Sequence, residues 1–264
     1  MSRNERTAGR IALEAPRLLI LVAVTYLVIA WTAVILVDLL GSQPVVPMWI
    51  RIFRERGPTG VLQWTALLAA VAICLRGARR WEASTDLNRF LTLMAVATTM
   101  MFGEDVANFS HLAGAVFGPD PTGFRVGRLI VYIVIAAVPT WALVRYWSHL
   151  GGGRGRLLVG YGLYAVAAGA SVPANLLGFY ERLGPWLLSS VFRDRLRRLP
   201  DGAAPFPEYD VTDQTGIVFV DFAIEESLEL LGAAFLLAAL IAIAHRRPHL
   251  SDANPGSAPA GNRP

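Results

Sequence analysis

Apolar residues in this chain gather into long runs with few interruptions. Leu18–Leu40 is broken only by Thr25, Thr32 and a late Asp38. A bilayer-crossing helix needs about 20 predominantly apolar residues, and this run supplies them. Val61–Leu75, Phe90–Val116, Leu129–Tyr146, Leu157–Phe179 and Ile217–His245 repeat the pattern. The expectation is an all-α polytopic membrane protein, a bundle of about six transmembrane helices. The second run is the shortest and borrows flanking residues such as Arg76, whose long side chain can snorkel to the interface. The first run follows Arg3, Arg6, Arg10 and Arg17, as a secretory signal would. Its apolar stretch is too long for one, and Gly41-Ser42-Gln43-Pro44 makes a poor cleavage site, so it reads as a retained anchor.

Three regions follow. Residues 1–17 are expected to be a cytoplasmic tail, residues 18–247 the six-helix transmembrane domain, and residues 248–264, rich in Pro, Gly, Ala and Ser, a disordered cytoplasmic tail. Between the spans, Met48–Arg56 alternates Trp49, Ile50 and Phe53 with arginines, which predicts a short helix lying at the interface. A long outer loop at 180–215 begins similarly, with Trp186, Leu187, Leu188, Val191 and Phe192, then turns polar and proline-rich.

Composition supports the membrane reading, with 54% hydrophobic and only 17% charged residues. All 24 basic residues are arginine. With the N-terminus in the cytoplasm, 14 of them fall on the inner side and 10 on the outer, five of these in the longest loop. Short loops carry the orientation signal, so both termini are expected in the cytoplasm of a plasma (inner) membrane protein. The net charge of +4 is then a topology signal. No aromatic-interleaved basic patch is present, so the partner expected is the lipid bilayer and not nucleic acid. A protein partner or homo-oligomer is left open. A single cysteine, Cys74, excludes an internal disulfide and any multi-cysteine metal site.

Against this background the acids stand out. Glu104 and Asp105, with Asn108, Ser110 and His111, sit in the third span; Asp221, Glu225, Glu226 and Glu229 sit in the sixth. Ionisable groups at membrane depth are costly and mark functional sites by default. Counting from the inner ends at 1.5 Å per residue, Glu104 lies about 22 Å and Glu229 about 25 Å along their spans. Both clusters therefore fall in the outer half of the membrane. Gln63 and Trp64 open the second span at that level, and Ser171 and Asn175 stand near the outer end of the fifth. On a continuous helix Glu104, Asn108 and His111 fall within about 60° of one another, with Asp105 to one side. Asp221, Glu225, Glu226 and Glu229 span roughly 140°, and Tyr164, Ala168, Ser171 and Asn175 share a face. No basic side chain lies at that depth in any span. Several clustered carboxylates cannot all stay ionised unaided, so protons, a bound metal or a folded-back arginine must neutralise them. Candidates for the last are Arg54, Arg56, Arg125, Arg128 and Arg193.

A cation or proton site is thus expected at Glu104, Asp105, Asp221, Glu225, Glu226 and Glu229. As a metal set, His111, Glu104, Glu225 and Glu229 combine one imidazole with carboxylates, which suits zinc, manganese or iron; a divalent ion is the one cofactor entertained. Asn108, Ser171 and Asn175 would support the site. Paired Glu-x-x-His motifs of di-iron bundles, a second intramembrane histidine for haem and hydrolase signatures are missing from the sequence. Glu225-Glu226 resembles the glutamate pair of CAAX-protease-like peptidases, but Leu230 stands where that family has arginine.

Another set of motifs is similar to an uncharacterised family of bacterial polytopic membrane proteins. Arg54-Glu55-Arg56-Gly57 with Leu62-Gln63-Trp64 resembles its Arg-Glu-Asp-Gly…Glu-Trp opening. Gly103-Glu104-Asp105 matches its Gly-Glu-Glu, and Glu225-Glu226-Ser227-Leu228-Glu229 its Glu-Glu-x-x-Glu. Arg56 and Gln63 depart from it, standing where the family usually has acids. The resemblance implies a shared acidic site and no particular reaction. The leading expectation is a cation-binding membrane protein that transports or senses protons or a divalent metal. A membrane-embedded metal-dependent hydrolase and a non-catalytic scaffold binding a partner through the outer loop are the alternatives.

Overall fold

The computed structural model describes residues 3–41, 46–54, 56–81, 85–117, 121–177, 179–192 and 211–245. For residues 3–13, 111, 121–125, 169–177, 179–181 and 211–214 the description is of backbone only. The expected tail at 248–264 and the polar part of the outer loop, 193–210, lie outside the described residues.

Among the described residues the chain is helical throughout, with no strand. Ten α-helices follow in order: α1 (Arg3–Val34), α2 (Met48–Phe53), α3 (Pro58–Ala78), α4 (Asp86–Ala107), α5 (Phe109–Phe117), α6 (Pro121–Tyr146), α7 (Arg154–Leu177), α8 (Phe179–Trp186), α9 (Val211–Phe219) and α10 (Glu226–Ala244). Wider π-helical turns extend α1 through Ile35–Leu39, α8 through Leu187–Val191, and join α9 to α10 through Val220–Glu225. Five helical stretches are long and apolar enough to cross a membrane: Glu14–Leu39, Met48–Ala78, Asp86–Ala107, Val126–His149 and Thr215–Ala244. The protein is a multi-pass membrane protein. The fifth expected span, Leu157–Phe179, falls on α7, a helix of 24 residues.

Burial orders the bundle. In the α9–α10 span 61% of the most apolar stretch is inside the protein, against 17–39% in the other four. That span is therefore the central post, and α10 packs on α1, α3 and α7. One core layer joins Ala70 and Cys74 of α3, Phe90 and Met94 of α4, Ala142 and Tyr146 of α6, Leu157 of α7, and Leu236, Leu240 and Ile243 of α10. A second joins Leu27, Ala30 and Val34 of α1 to Trp49, Phe53, Phe219 and Leu230. The outward faces are apolar as well: Val22, Val28 and Ile29 of α1 and Ile133 and Val144 of α6 are exposed. Lipid is the surrounding that suits such a surface.

Two expectations need correcting. The third span, read as one helix over Phe90–Val116, breaks at Asn108, whose φ of 51° lies in the left-handed region; asparagine tolerates that region better than most residues. Beyond the break α5 packs on α6. The short helix at Met48–Phe53 exists, but Trp49 and Phe53 are fully buried instead of facing the interface. Asp38 draws it inward by accepting hydrogen bonds from the backbone N–H groups of Met48 (2.8 Å) and Trp49 (2.9 Å), which satisfies the otherwise free donors of a helix start. The residues of the expected tail are helical from Arg3, where α1 begins.

Small residues bring helices close, as is common where lipid offers no hydrophobic drive. A Cβ built on Gly184 of α8 would run into the backbone of Gly216 in α9, and one on Gly216 into the backbone of Gly184. Backbone cannot step aside as a side chain can. Gly184→Ala and Gly216→Ala are each expected to cost about 1–3 kcal/mol through overpacking, read as a lower melting midpoint in detergent. Gly162→Ala is the control: its Cβ would meet nothing within 4 Å, so the midpoint should hold or rise slightly, since alanine favours helix.

Candidate functional site

Gln63 stands one turn into α3 and is 1% exposed. Its amide Nε2 donates to Asp105 Oδ2 at 2.6 Å and to Glu229 Oε2 at 2.9 Å. An amide nitrogen carries two hydrogens, so one group clamps a carboxylate from α4 and another from α10. Glu226 and Glu104 complete the electrostatic surroundings of Asp105. Glu226 and Glu229, three residues apart on α10, share a face, and Glu226 Oε2 lies 3.6 Å from where a Cβ on Gly60 would stand. It thus meets the first turn of α3, whose free N–H groups and dipole favour negative charge. From a fourth helix, Tyr164 of α7 faces Asp105, Glu229, Glu226 and Gln63. Its ring lies against Gly232, where a Cβ would come within 2.7 Å of it.

Glu104 serves differently from its neighbour. Its carboxylate accepts the backbone N–H of Ser110 at 2.9 Å, and its carbonyl accepts that of Asn108 at 2.7 Å. It therefore stitches the break, capping the start of α5. The ring of Phe109 folds over Gly103, where a Cβ would lie 2.7 Å from it. The glycine of Gly103-Glu104-Asp105 makes room for the turn, the glutamate ties it, and the aspartate reaches the cluster.

No protein-family model, curated protein or solved structure matches this chain. The site must be read from its own geometry.

The sequence-derived set divides accordingly. Asp105, Glu226 and Glu229 converge, with Glu104 beside them. Asp221 and Glu225 occupy the π-helical segment before α10 and are partly exposed. Ser227, in the first turn of α10, accepts from Trp31 Nε1 at 3.2 Å and donates to the carbonyl of Ala223 at 2.6 Å. Asn108 is the hinge of the α4–α5 break and accepts from Ser110 Oγ at 3.4 Å. It does not share a continuous helical face with Glu104 and His111, since the left-handed residue ends α4 before His111 is reached. The side chains of His111, Ser171 and Asn175 lie outside the described residues. Of the arginines considered for neutralisation, Arg54 and Arg56 are exposed and Arg128 donates to Tyr132 Oη at 3.2 Å. Arg193 and the side chain of Arg125 lie outside the described residues. Among the described residues no three His, Cys, Asp or Glu side chains form a metal-holding group.

Gln63 is the residue that acid-counting passes over. Its signal in the sequence is a buried-type polar residue near the start of an apolar span, at the same depth as the acids. Asp105, placed to one side by helical spacing, is in fact central, because the break at Asn108 gives Glu104 another partner.

Asn108 gives the turn its test. Asn108→Gly should leave the melting midpoint nearly unchanged, since glycine adopts positive φ freely. Asn108→Val should lower it, by about 1–2 kcal/mol for forcing a side chain branched at Cβ into left-handed backbone. Equal midpoints for the two variants would remove the turn's dependence on that conformation.

Proposed function

We propose that this chain is a cation-binding protein of the bacterial inner membrane, with both termini cytoplasmic, and that its acid cluster lies in the outer half of the bilayer and transports or senses protons. The observation that carries this is the Gln63 amide held between Asp105 and Glu229. Two carboxylates within hydrogen-bond reach of one nitrogen repel each other unless one takes up a proton. A group that must exchange protons to sit where it sits can couple proton entry to helix movement. The pair links α3, α4 and α10, so its protonation bears on three helices at once.

A divalent ion is the weaker occupant. Calcium takes 6–8 oxygen ligands and magnesium a near-octahedral set, whereas the amide gathers two carboxylates here. The resemblance of Gly103-Glu104-Asp105 and Glu225-Glu226-Ser227-Leu228-Glu229 to motifs of bacterial polytopic proteins adds the expectation of one shared acidic site.

The reading is tested in proteoliposomes carrying an imposed pH gradient, with proton uptake by the purified protein titrated alongside. Wild type should take up protons and speed collapse of the gradient. Asp105→Asn and Glu229→Gln should each abolish both effects while melting as folded proteins. Uptake without flux assigns sensing. Neither uptake nor flux in the wild type sinks the proposal.

A further inference from the structure

The α6–α7 turn gathers positive charge where helix electrostatics disfavour it. Arg154 and Arg156 stand in the first turn of α7, which carries no acid, beside the positive end of that helix's own dipole. Arg145 stands in the last turn of α6, just before the same connection. Among the described residues no acid pairs with any of the three; Asp86, at the start of α4, faces His149 at 3.6 Å instead. That contact ties the end of α6 to the start of α4. Asn88 of α4 in turn donates to the carbonyls of Ala78 at 2.6 Å and Trp81 at 3.4 Å, which brings the end of α3 to the same place. The exposed Arg76, Arg79, Arg80 and Arg89 therefore share this end of the bundle.

The guanidinium of Arg154 is already fixed. It lies over the ring of Trp147, 5.3 Å from the centroid, and its Nη2 donates to the carbonyl of Ser148 at 3.0 Å. Its Nε is buried, whereas the bond to Ser148 lies at the exposed surface. A terminal guanidinium nitrogen carries two hydrogens, and Nη2 gives one to Ser148, so the outer end of the group keeps a donor for an anion. Arg145 is set in the same way over the ring of Tyr146, at 5.3 Å. Planar groups held like this lose little further freedom on binding.

Beside these arginines the surface is apolar. Trp141 and Val144 of α6 and Leu158 and Val159 of α7 are exposed. A soluble anion would match the charges and leave that wall uncovered. A molecule with an anionic head and hydrocarbon chains matches both. Its charge would also offset the two arginines that stand against the dipole of α7.

We infer that Arg154, flanked by Arg145 and Arg156, binds the phosphodiester of an anionic phospholipid whose chains lie along α6 and α7. The site is separate from the acid cluster and does not depend on its proton reading.

The test is native mass spectrometry of the full-length protein in detergent, titrated with dioleoylphosphatidylglycerol or, with the same chains, dioleoylphosphatidylcholine. One phosphatidylglycerol per chain should bind about tenfold or more tighter than phosphatidylcholine. Arg154→Gln should weaken it about fivefold, the scale of one arginine at an anionic surface, and Arg154→Gln/Arg156→Gln should weaken it further. Arg51→Gln, in α2, should change nothing. If Arg154→Gln fails to melt as a folded protein, Arg145→Gln and Arg156→Gln decide in its place. Equal binding of the two lipids overturns the inference, as does full preference retained without the Arg154 guanidinium. An equal loss in Arg51→Gln reduces the effect to net charge and overturns the site. Inorganic phosphate that displaces the lipid better than chloride at equal ionic strength assigns a soluble anion and overturns the lipid.

Discussion

The amide of Gln63, held between Asp105 and Glu229, is the contact on which the arrangement of helices turns. Lipid supplies no hydrogen-bond partners, so each polar group inside the bundle must find one within the protein. A carboxylate on α4 and another on α10 can point inward only if something between them donates to both. α3 provides that donor, and so sits between the other two. The central position of α10 follows from the same demand, because its acids need neighbours on several sides and its apolar remainder offers them Gly232, Ala233 and Leu236 to pack on.

Adjacent residues on a helix point about 100° apart, and the α4–α5 break uses this. Asp105 faces α3 and α10, while Glu104 turns to the N-terminus of α5. One acid builds the site and the other builds the turn beside it. Without the turn, α4 would continue as an apolar rod past the cluster and α5 could not lie on α6. The π-helical segment Val220–Glu225 leads into α10 on the other side of the cluster. Single π-bulges gather at functional sites because an extra residue per turn redirects the side chains that follow, and here the residues that follow are Glu226 and Glu229.

Close packing sets how near the fourth helix comes. α7 approaches α10 where Gly160 and Gly232 face each other, a Cβ on Gly160 falling 3.0 Å from the carbonyl of Gly232. That approach is what brings Tyr164 to the acids. A glycine pair far simpler than any catalytic motif thus decides whether a hydroxyl joins the site.

Hydropathy along the chain was enough to establish helices, their approximate ends and the membrane as solvent, because burying a backbone in lipid permits little besides helix. It was also enough to single out the acids, since charge inside an apolar run has a cost that composition alone reveals. What it could not provide was partnership. Helical spacing assumed that Phe90–Val116 is one helix, and a single left-handed residue at Asn108 undid the face it implied for Glu104, Asn108 and His111. Trp49 looked interfacial by its arginine neighbours, yet Asp38 caps its helix and pulls the ring inside. Gln63 stands at the acids' level in the sequence, but nothing there showed that it donates to both Asp105 and Glu229. Periodicity is a property of neighbours in the chain, whereas hydrogen-bond partners are chosen across helices, by rotation, breaks and the few glycines that let backbones meet. Those were decided only in the folded bundle.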